Sequence, residues 1–537
     1  MSQRREGPGS WCGLLLVALF GVPLAISLGI STEATAPLPT RWAEQRITIL
    51  HTNDLHGQVR PRESGPRSER GGLLALGRTI RAEREAALLE ERPVLLLDAG
   101  DFFQGTLEGD RSRGAVVVDW MNELRYDAVT VGNHEFDFGI EVMSELGVKA
   151  KFPFLGANIR SEATGQVPSW LGTRKGDPLD GSALIRQMGA LRVAVIGLTT
   201  SQMKRLTREG ATDGLTFQEE AKALEHVLER VGDADLRIVL THCGLETDRA
   251  LAKRFQSQID VIVGGHSHTR LETGEHVGRV LIVQAWKQSR ALGRVELRVT
   301  AAPRAGERPR VEAVATLIGT NSGLEAVLAP HLAQIGPEAN RVVAELGERG
   351  LSASIPRGAS SSPLGNLVAD AIGSAGEADI AFHNRYGTRG DLPAGKVLYR
   401  HLYEALPFHN RLVTLTLTGD QIKKLVAASL DGSSTPLEIS GASVEFNPQN
   451  PVGQRLLGVR VGSRPLDPAR KYRVATHDFL ANGGDGHVGF RSATEREDHQ
   501  LTLREVVERY LSTREGYVAP DDERWVRLAS PQNSDGR

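Results

Sequence analysis

Five short polar clusters carry side chains that bind hard divalent metals, and each follows directly on an apolar run. The segment Ile49–Gly57 reads I-L-H-T-N-D-L-H-G and sets Asp54 and His56 two residues apart. In extended backbone that spacing turns both side chains to one side. Asp98-Ala99-Gly100-Asp101 follows Val94–Leu97, and Gly132-Asn133-His134-Glu135-Phe136-Asp137 follows Ala128–Val131. Thr241-His242 follows Ile238–Leu240, and Gly264-Gly265-His266-Ser267-His268 follows Val261–Val263. A single His after a strand is more often a cap or a hydrogen-bonding residue. Strand ends carrying Asp-x-His, Asp, Asn-His, His and His-x-His together form a constellation that points to metal. The donor mix suits Zn or Mn, and the absence of Cys ligands argues against a closed structural zinc site. Seven donors are too many for one tetrahedral ion, so two ions sharing one carboxylate are implied.

The elements that must position these clusters are legible in the apolar pattern. From Arg46 to about Leu317, short apolar strands alternate with helical stretches, which implies sheets sandwiched by helices. A hairpin of Arg294–Thr300 and Val311–Leu317 closes this half, and a helix near Leu324–Ile335 leads to the next. There, Leu364, Leu367, Val368, Ala371 and Ile372 follow helical spacing, as do Leu503, Val506, Val507, Tyr510 and Leu511. Ile422, Leu425 and Val426 start a third stripe, and Leu412–Leu417 and Tyr472–Ala475 read as strands, so the second half is also mixed α and β. In open α/β sheets, sites form beyond the carboxyl ends of strands.

With 537 residues, 40% hydrophobic and 24% charged, the chain can build two cores. The net charge of -2 and the 5% aromatic share leave no basic or broad stacking face for a nucleic-acid polymer. Arg4 and Arg5, the apolar run Trp11–Ile30 and the stretch Ala34-Thr35-Ala36 form a secretory signal pattern. Gly21 and Pro23 favour cleavage, whereas Pro37 and the length of the run favour an uncleaved anchor. Both readings export the body. Cys12 lies inside that segment and Cys243 outside it, so the mature body has no internal disulfide and must rely on its cores and on metal.

These segments resemble the calcineurin-like metallophosphoesterases, and specifically the 5'-nucleotidase family. The motifs that carry the resemblance are I-T-I-L-H-T-N-D-L-H-G-Q-V from Ile47 and Tyr126 followed by V-G-N-H-E-F-D to Asp137. The resemblance implies an α/β architecture: an N-terminal four-layer αββα metallophosphoesterase domain and a smaller mixed α/β C-terminal domain. Its expected bounds are a targeting segment at 1–36, the dimetal domain at 45–318, a linker helix at 319–340 and a nucleotide-binding domain at 341–528. It further implies two divalent ions, Zn, Mn or Co. Asp54, His56 and His268 would hold the first, Asn133, His242 and His266 the second, and Asp101 would bridge them. Many members carry Gln or Asn where this chain has His268. His134 resembles the family's catalytic His and Asp137 its orienting partner.

In the second half, Leu406-Pro407-Phe408-His409-Asn410 resembles the family's Pro-Phe-x-Asn segment, and Asp478–Gly486 its nucleoside-binding loop. By that resemblance Phe408 and Phe479 sandwich a base, with Asn384, Arg389 and Asp485 also binding substrate. Arg385 and Tyr386 replace two glycines of the usual Asn-Gly-Gly-Gly-Ile-Arg segment and are expected to fill space near the nucleoside. Ser360–Ser362 stand where the family usually places an Arg, with Arg357 displaced. The expected activity is release of phosphate from nucleoside 5'-monophosphates, extending to cleavage of nucleotide diphospho-sugars, in the periplasm or at the cell surface. No stable protein partner is expected. The alternatives are a 2',3'-cyclic nucleotide phosphodiesterase with 3'-nucleotidase activity, or a dimanganese thiosulfohydrolase. A non-catalytic binding protein would have no reason to keep His134 beside a full ligand set.

Overall fold

Alternation along the buried strands of the first half sends neighbouring side chains into different cores. Leu95 and Leu97 join one cluster and Leu96 another, and Ile238 and Leu240 part from Val239 in the same way. Strands buried on both faces need three apolar layers, which is what the computed structural model shows. It describes residues 44–62, 71–172, 179–302, 304, 307–320, 335–356, 359–520 and 522–528. The expected targeting segment and most of the linker helix, residues 321–334, lie outside these.

One six-stranded sheet runs in the order Arg310–Gly319, Ala291–Thr300, Glu44–Thr52, Val94–Asp98, Ala128–Thr130, Phe154–Leu155. The other runs Glu275–Val277, Val280–Val283, Val261–Val263, Leu236–His242, Leu191–Thr199, Ala183–Met188. Ile47, Ile49, Val193, Val195, Val261 and Val263 fill the space between them. Helices Leu73–Leu89, Ala115–Leu124 and Ile140–Lys149 cover the first sheet's outer face, and Glu220–Arg230 and Leu245–Arg254 cover the second's. The αββα expectation is met, and so is the hairpin, which pairs Arg294 with Thr316 and Thr300 with Arg310.

The second half centres on a five-stranded sheet ordered Leu437–Ser440, Ile380–Asn384, Lys471–His477, Arg411–Thr418, Thr494–Thr502. Helices Pro363–Ala375 and Leu503–Ser512 bury their apolar stripes on one face, and Gly419–Asp431 buries Ile422, Leu425 and Val426 on the other. Their starts are encoded locally. Ser362 caps the first with Pro363 at its first turn, and Thr418 with Gln421 and Thr502 with Glu505 form capping boxes. Among the described residues no helix is long and apolar enough to cross a membrane.

The two halves meet through buried polar contacts. Tyr403, on the helix Tyr399–Ala405, donates its hydroxyl to Asp110 Oδ2 at 2.9 Å. The Arg504 guanidinium lies 4.0 Å over the Tyr403 ring and donates to the carbonyls of Leu406 and Phe408 at 2.7 and 2.9 Å. Burial pushes the Asp110 carboxyl up to about 7, against the hydroxyl that donates to it. An acid whose folded pKa exceeds its unfolded value of about 4 is destabilising as its proton is lost, so the cost grows as pH rises toward 7 and is complete above it. Asp110→Asn keeps an acceptor for Tyr403 without the charge. Calorimetry of the metal-loaded protein should therefore show a gain in unfolding midpoint at pH 8 that shrinks at pH 5; an equal gain at both would contradict the assignment.

Candidate metal centre

Most of the ligand-type residues lie beyond the strand ends, with His242 the exception as the last residue of Leu236–His242. The first strand ends at Thr52, and Asp54, His56, Asp101, His266 and His268 all have φ between 49° and 75°. This corrects the reading of Asp54 and His56 as same-face neighbours on a strand: tight left-handed turns bring them together. Asp and His adopt that region more readily than most residues, at a cost of order 1–3 kcal/mol each.

The turns converge. His56 Nε2 is 3.0 Å from His268 Nε2, and Asp54 Oδ1 is 3.3 Å from His268 Nε2 and 3.9 Å from His56 Nε2. Such spacing suits donors that each lie about 2 Å from a shared ion. His242 Nε2 lies 3.1 Å from Asp101 Oδ2, off the line that a hydrogen bond needs, and His266 completes this second group. Asp101 also groups with His56 and His134, which places it between the two sets. Asn133 Oδ1 is buried with no partner. An orphaned buried oxygen beside converging carboxylates and imidazoles fits a pair of divalent ions.

The surrounding residues aim these donors. The Nδ1–H of His56 donates to Gln104 O at 2.9 Å, and that of His242 to Ala99 O at 2.6 Å, so both present Nε2 inward. Asn53 donates to Asp54 Oδ2 at 2.6 Å and to Trp286 O at 2.7 Å, while its own oxygen accepts from Ala285 N. Fully buried Glu135 accepts from the backbone N–H groups of Asp101, Phe102 and Gly132 at 2.9, 2.9 and 2.6 Å. Asn53, Gln104 and Glu135 went unassigned in the sequence. Asn53 and Glu135 lie inside the two motifs, but nothing local shows that their partners come from other loops. A Cβ at Gly132 would fall 2.2 Å from Asp101 Oδ1, so only glycine lets these loops close.

Burial opposes ionisation of Asp54, yet His268 beside it holds its carboxyl down at about 2. Asp101 is likewise held low, by His242 and His134 against burial. Burial lowers His266 to about 4 and, with His268, depresses His56, which keeps both rings neutral as metal ligands must be. His242 differs: burial is outweighed by Asp101, which raises it to about 10, so a divalent ion taking both atoms displaces a proton. His134 Nδ1 lies 2.8 Å from Asp137 Oδ2, and although burial would lower its pKa, Asp101 and Asp137 raise it.

A cavity of about 520 Å³ opens on this centre. Asn133, His134, Asp137, His266 and His268 line one side, and Asn384, Arg389, Phe408, Phe479 and Asp485 the other. The Phe408 ring stacks 5.7 Å from His134 with the Arg389 guanidinium 5.3 Å over it, and Asn384 Nδ2 donates to Asp485 Oδ2 at 2.7 Å. Tyr386 lines the cavity, as expected. Arg385 does not: its guanidinium turns away to buried Glu438 and to Ser360 O, both at 2.9 Å.

Residues 47–270 match the family model for calcineurin-like phosphoesterases, and residues 342–494 that for the 5'-nucleotidase C-terminal domain. The human 5'-nucleotidase is 30% identical over 532 residues, covering 87% of this chain and 88% of its own. This chain belongs to the 5'-nucleotidase family. A 5'-nucleotidase of Diplobatis ommata is 28% identical across 92% of this chain and 90% of its own. The crystal structure of a 5'-nucleotidase precursor from Thermus thermophilus superposes with a TM-score of 0.77 at 27% identity, over 90% of this chain and 100% of that one. The Thermus thermophilus sulfate thiohydrolase SoxB, at 24% identity, shares the fold with a TM-score of 0.73 over 90% of this chain and 97% of its own. The chain is therefore a metal-dependent phosphoester hydrolase whose two domains are those the motifs implied.

Glu135 gives this centre a direct test. Glu135→Ala strands three buried N–H donors, at a cost of about 1–3 kcal/mol for each one left unsatisfied. The unfolding midpoint and the metal content by elemental mass spectrometry should both fall sharply, and Glu135→Gln should fall less. Unchanged metal content in Glu135→Ala would show that the loops hold their shape without it.

Proposed function

We propose that this chain is an exported hydrolase that releases phosphate from nucleoside 5'-monophosphates at two divalent ions. One observation carries the reading: the aromatic and polar residues suited to a nucleoside, Phe408, Phe479, Asn384, Arg389 and Asp485, share a cavity with the ligand-type residues Asn133, His266 and His268. Asp54, His56 and His268 are assigned to one ion and Asn133, His242 and His266 to the other, with Asp101 between them. Ions held there would supply the positive charge that polarises a phosphoester and acidifies an attacking water.

The protein's own groups do the rest. Asp137 accepts from His134 Nδ1–H, which fixes the ring and favours its charged form. His134 then stabilises charge on the phosphoryl oxygens or hands a proton to the leaving alkoxide. Phe408 and Phe479 hold the base, and Asp485 and Arg389 orient what lies between base and phosphate. The apolar amino-terminal run with its Arg4 and Arg5 flank supports export.

A second observation extends the reading to nucleotide diphospho-sugars. Lys287 lies within electrostatic reach of Arg389, Arg290 and Arg62, three cations against the single carboxylate of Asp54. A second phosphoryl group would balance such a cluster.

The purified chain should be assayed with Mn, Zn or Co on AMP, UDP-glucose, cyclic AMP, thiosulfate esters and an aryl phosphate. Turnover of AMP well above aryl phosphate is expected, and activity on aryl phosphate alone would reject the nucleotide reading. Elemental analysis should find two ions per chain. His134→Asn should keep both ions while turnover drops by roughly 10²–10⁴-fold, the usual span of general acid catalysis. Phe479→Ala should weaken AMP hydrolysis by about 1–3 kcal/mol of lost stacking and leave aryl phosphate nearly untouched. Lys287→Met should cost UDP-glucose more than AMP; equal losses would remove the diphosphate extension.

A further inference from the structure

Behind the cavity wall lies a buried polar chain that the proposed mechanism does not use. The strands Ile380–Asn384 and Lys471–His477 run side by side in parallel, with Ile380 opposite Val474 and Ala381 opposite Ala475. Their last residues, His383, Asn384 and His477, therefore arrive together beneath the nucleoside loop. His477 has no solvent exposure, and its Nε2 lies 2.9 Å from Asn384 Oδ1. Asn384 Nδ2 in turn lies 2.7 Å from Asp485 Oδ2.

Only one proton arrangement satisfies this chain. The Asp485 carboxylate accepts hydrogen bonds, so the amide nitrogen of Asn384 must face it and the amide oxygen must face His477. His477 must then carry its hydrogen on Nε2, and its Nδ1, an acceptor in that tautomer, is buried without a partner. Burial, with His383 and His487 nearby, depresses the His477 pKa far below the ordinary imidazole range, so the ring stays neutral and the tautomer does not switch with pH. The other end of the chain needs such a fixture. Asp485 is held at φ 54°, and its Oδ2 already accepts from Asn384 and, at 3.3 Å, from the Thr435 hydroxyl. That leaves Oδ1 for a ligand in the cavity. The His477 ring also lies parallel to Phe479 within 6°, with centroids 6.3 Å apart.

We propose that His477 is a positioning residue for the nucleoside subsite: its Nε2–H sets the Asn384 amide, which fixes Asp485 so that one carboxylate oxygen meets the hydroxyl or amino donors of a nucleoside. The proposal rests on the nucleotide reading of the cavity. It makes recognition by Asp485 depend on a side chain that does not line the cavity.

The test compares His477→Phe, which keeps a ring of similar shape without the donor, with His477→Gln, whose amide restores one. His477→Phe should raise KM for AMP about tenfold, the worth of one buried hydrogen bond, with kcat within about twofold. Its kcat/KM on aryl phosphate should not change, and His477→Gln should recover most of the AMP loss. An unchanged AMP KM in His477→Phe, equal losses on both substrates, or no recovery in His477→Gln would overturn the proposal. If the phenylalanine variant does not fold, the nitrogen-15 spectrum of the imidazole in the wild-type protein decides: a neutral Nε2–H ring is expected from pH 6 to 8, and an Nδ1–H tautomer or an imidazolium overturns it. A wild-type enzyme with no preference for AMP over aryl phosphate would instead fail the nucleotide reading, and the tautomer would still report whether His477 sets Asn384.

Discussion

Left-handed backbone at Asp54, His56, Asp101, His266 and His268 is the constraint around which the first domain is arranged. On a strand, residues two apart share a face but stand roughly 6.6 Å apart, whereas a turn just past its end can draw both donors together, at an energetic cost that the surroundings must offset. The offset comes from buried groups that tie one loop to the next. Glu135 gathers three backbone donors, and Asn53 bridges Asp54 to Trp286. The wide sheets behind the turns, whose central strands are buried, supply the rigidity on which those ties depend.

Charge is sorted into two layers by the same geometry. Asp54 and Asp101, which stand among the ligand-type imidazoles, are buried but held ionised by them. Behind them, Asp98 accepts from Thr52 and Gly100, and Asp248 accepts from Thr241. Burial pushes Asp98 well up and Asp248 to about 7, since no imidazole compensates them fully. The front layer is thus prepared for cations, and the rear layer serves as hydrogen-bonding structure. Removing a rear carboxylate should disturb shape before it disturbs charge.

One short segment of the second domain is hydrogen-bonded toward the metal centre. Arg504 holds the carbonyls of Leu406 and Phe408, Gln104 donates to Pro407 O, and Gln104 O in turn accepts from His56. The Phe408 ring and the ligand-type His56 are therefore linked through a few bonds across the domain boundary. The proposed base contact and the ligand-type residues are mechanically joined there, so a change at Tyr403 or Arg504 can reach both without touching either.

The sequence by itself determined the ligand types, the strands that precede them, the helical stripes and their caps, because these are local patterns of polarity and spacing. It also carried Phe479 and Asp485 in a glycine-rich loop. It misjudged how Asp54 and His56 meet, since φ is not legible in residue type, and it misplaced Arg385, whose partner Glu438 lies 53 residues away. Glu135, Gln104 and His477 had no role in the sequence because each acts on a group brought near only by folding. Which donors share a point, which carboxylates stay charged and which aromatic rings face the metal centre were decided by tertiary structure. Those properties depend on distances of about 3–4 Å between residues far apart in the chain, and one-dimensional spacing does not encode them.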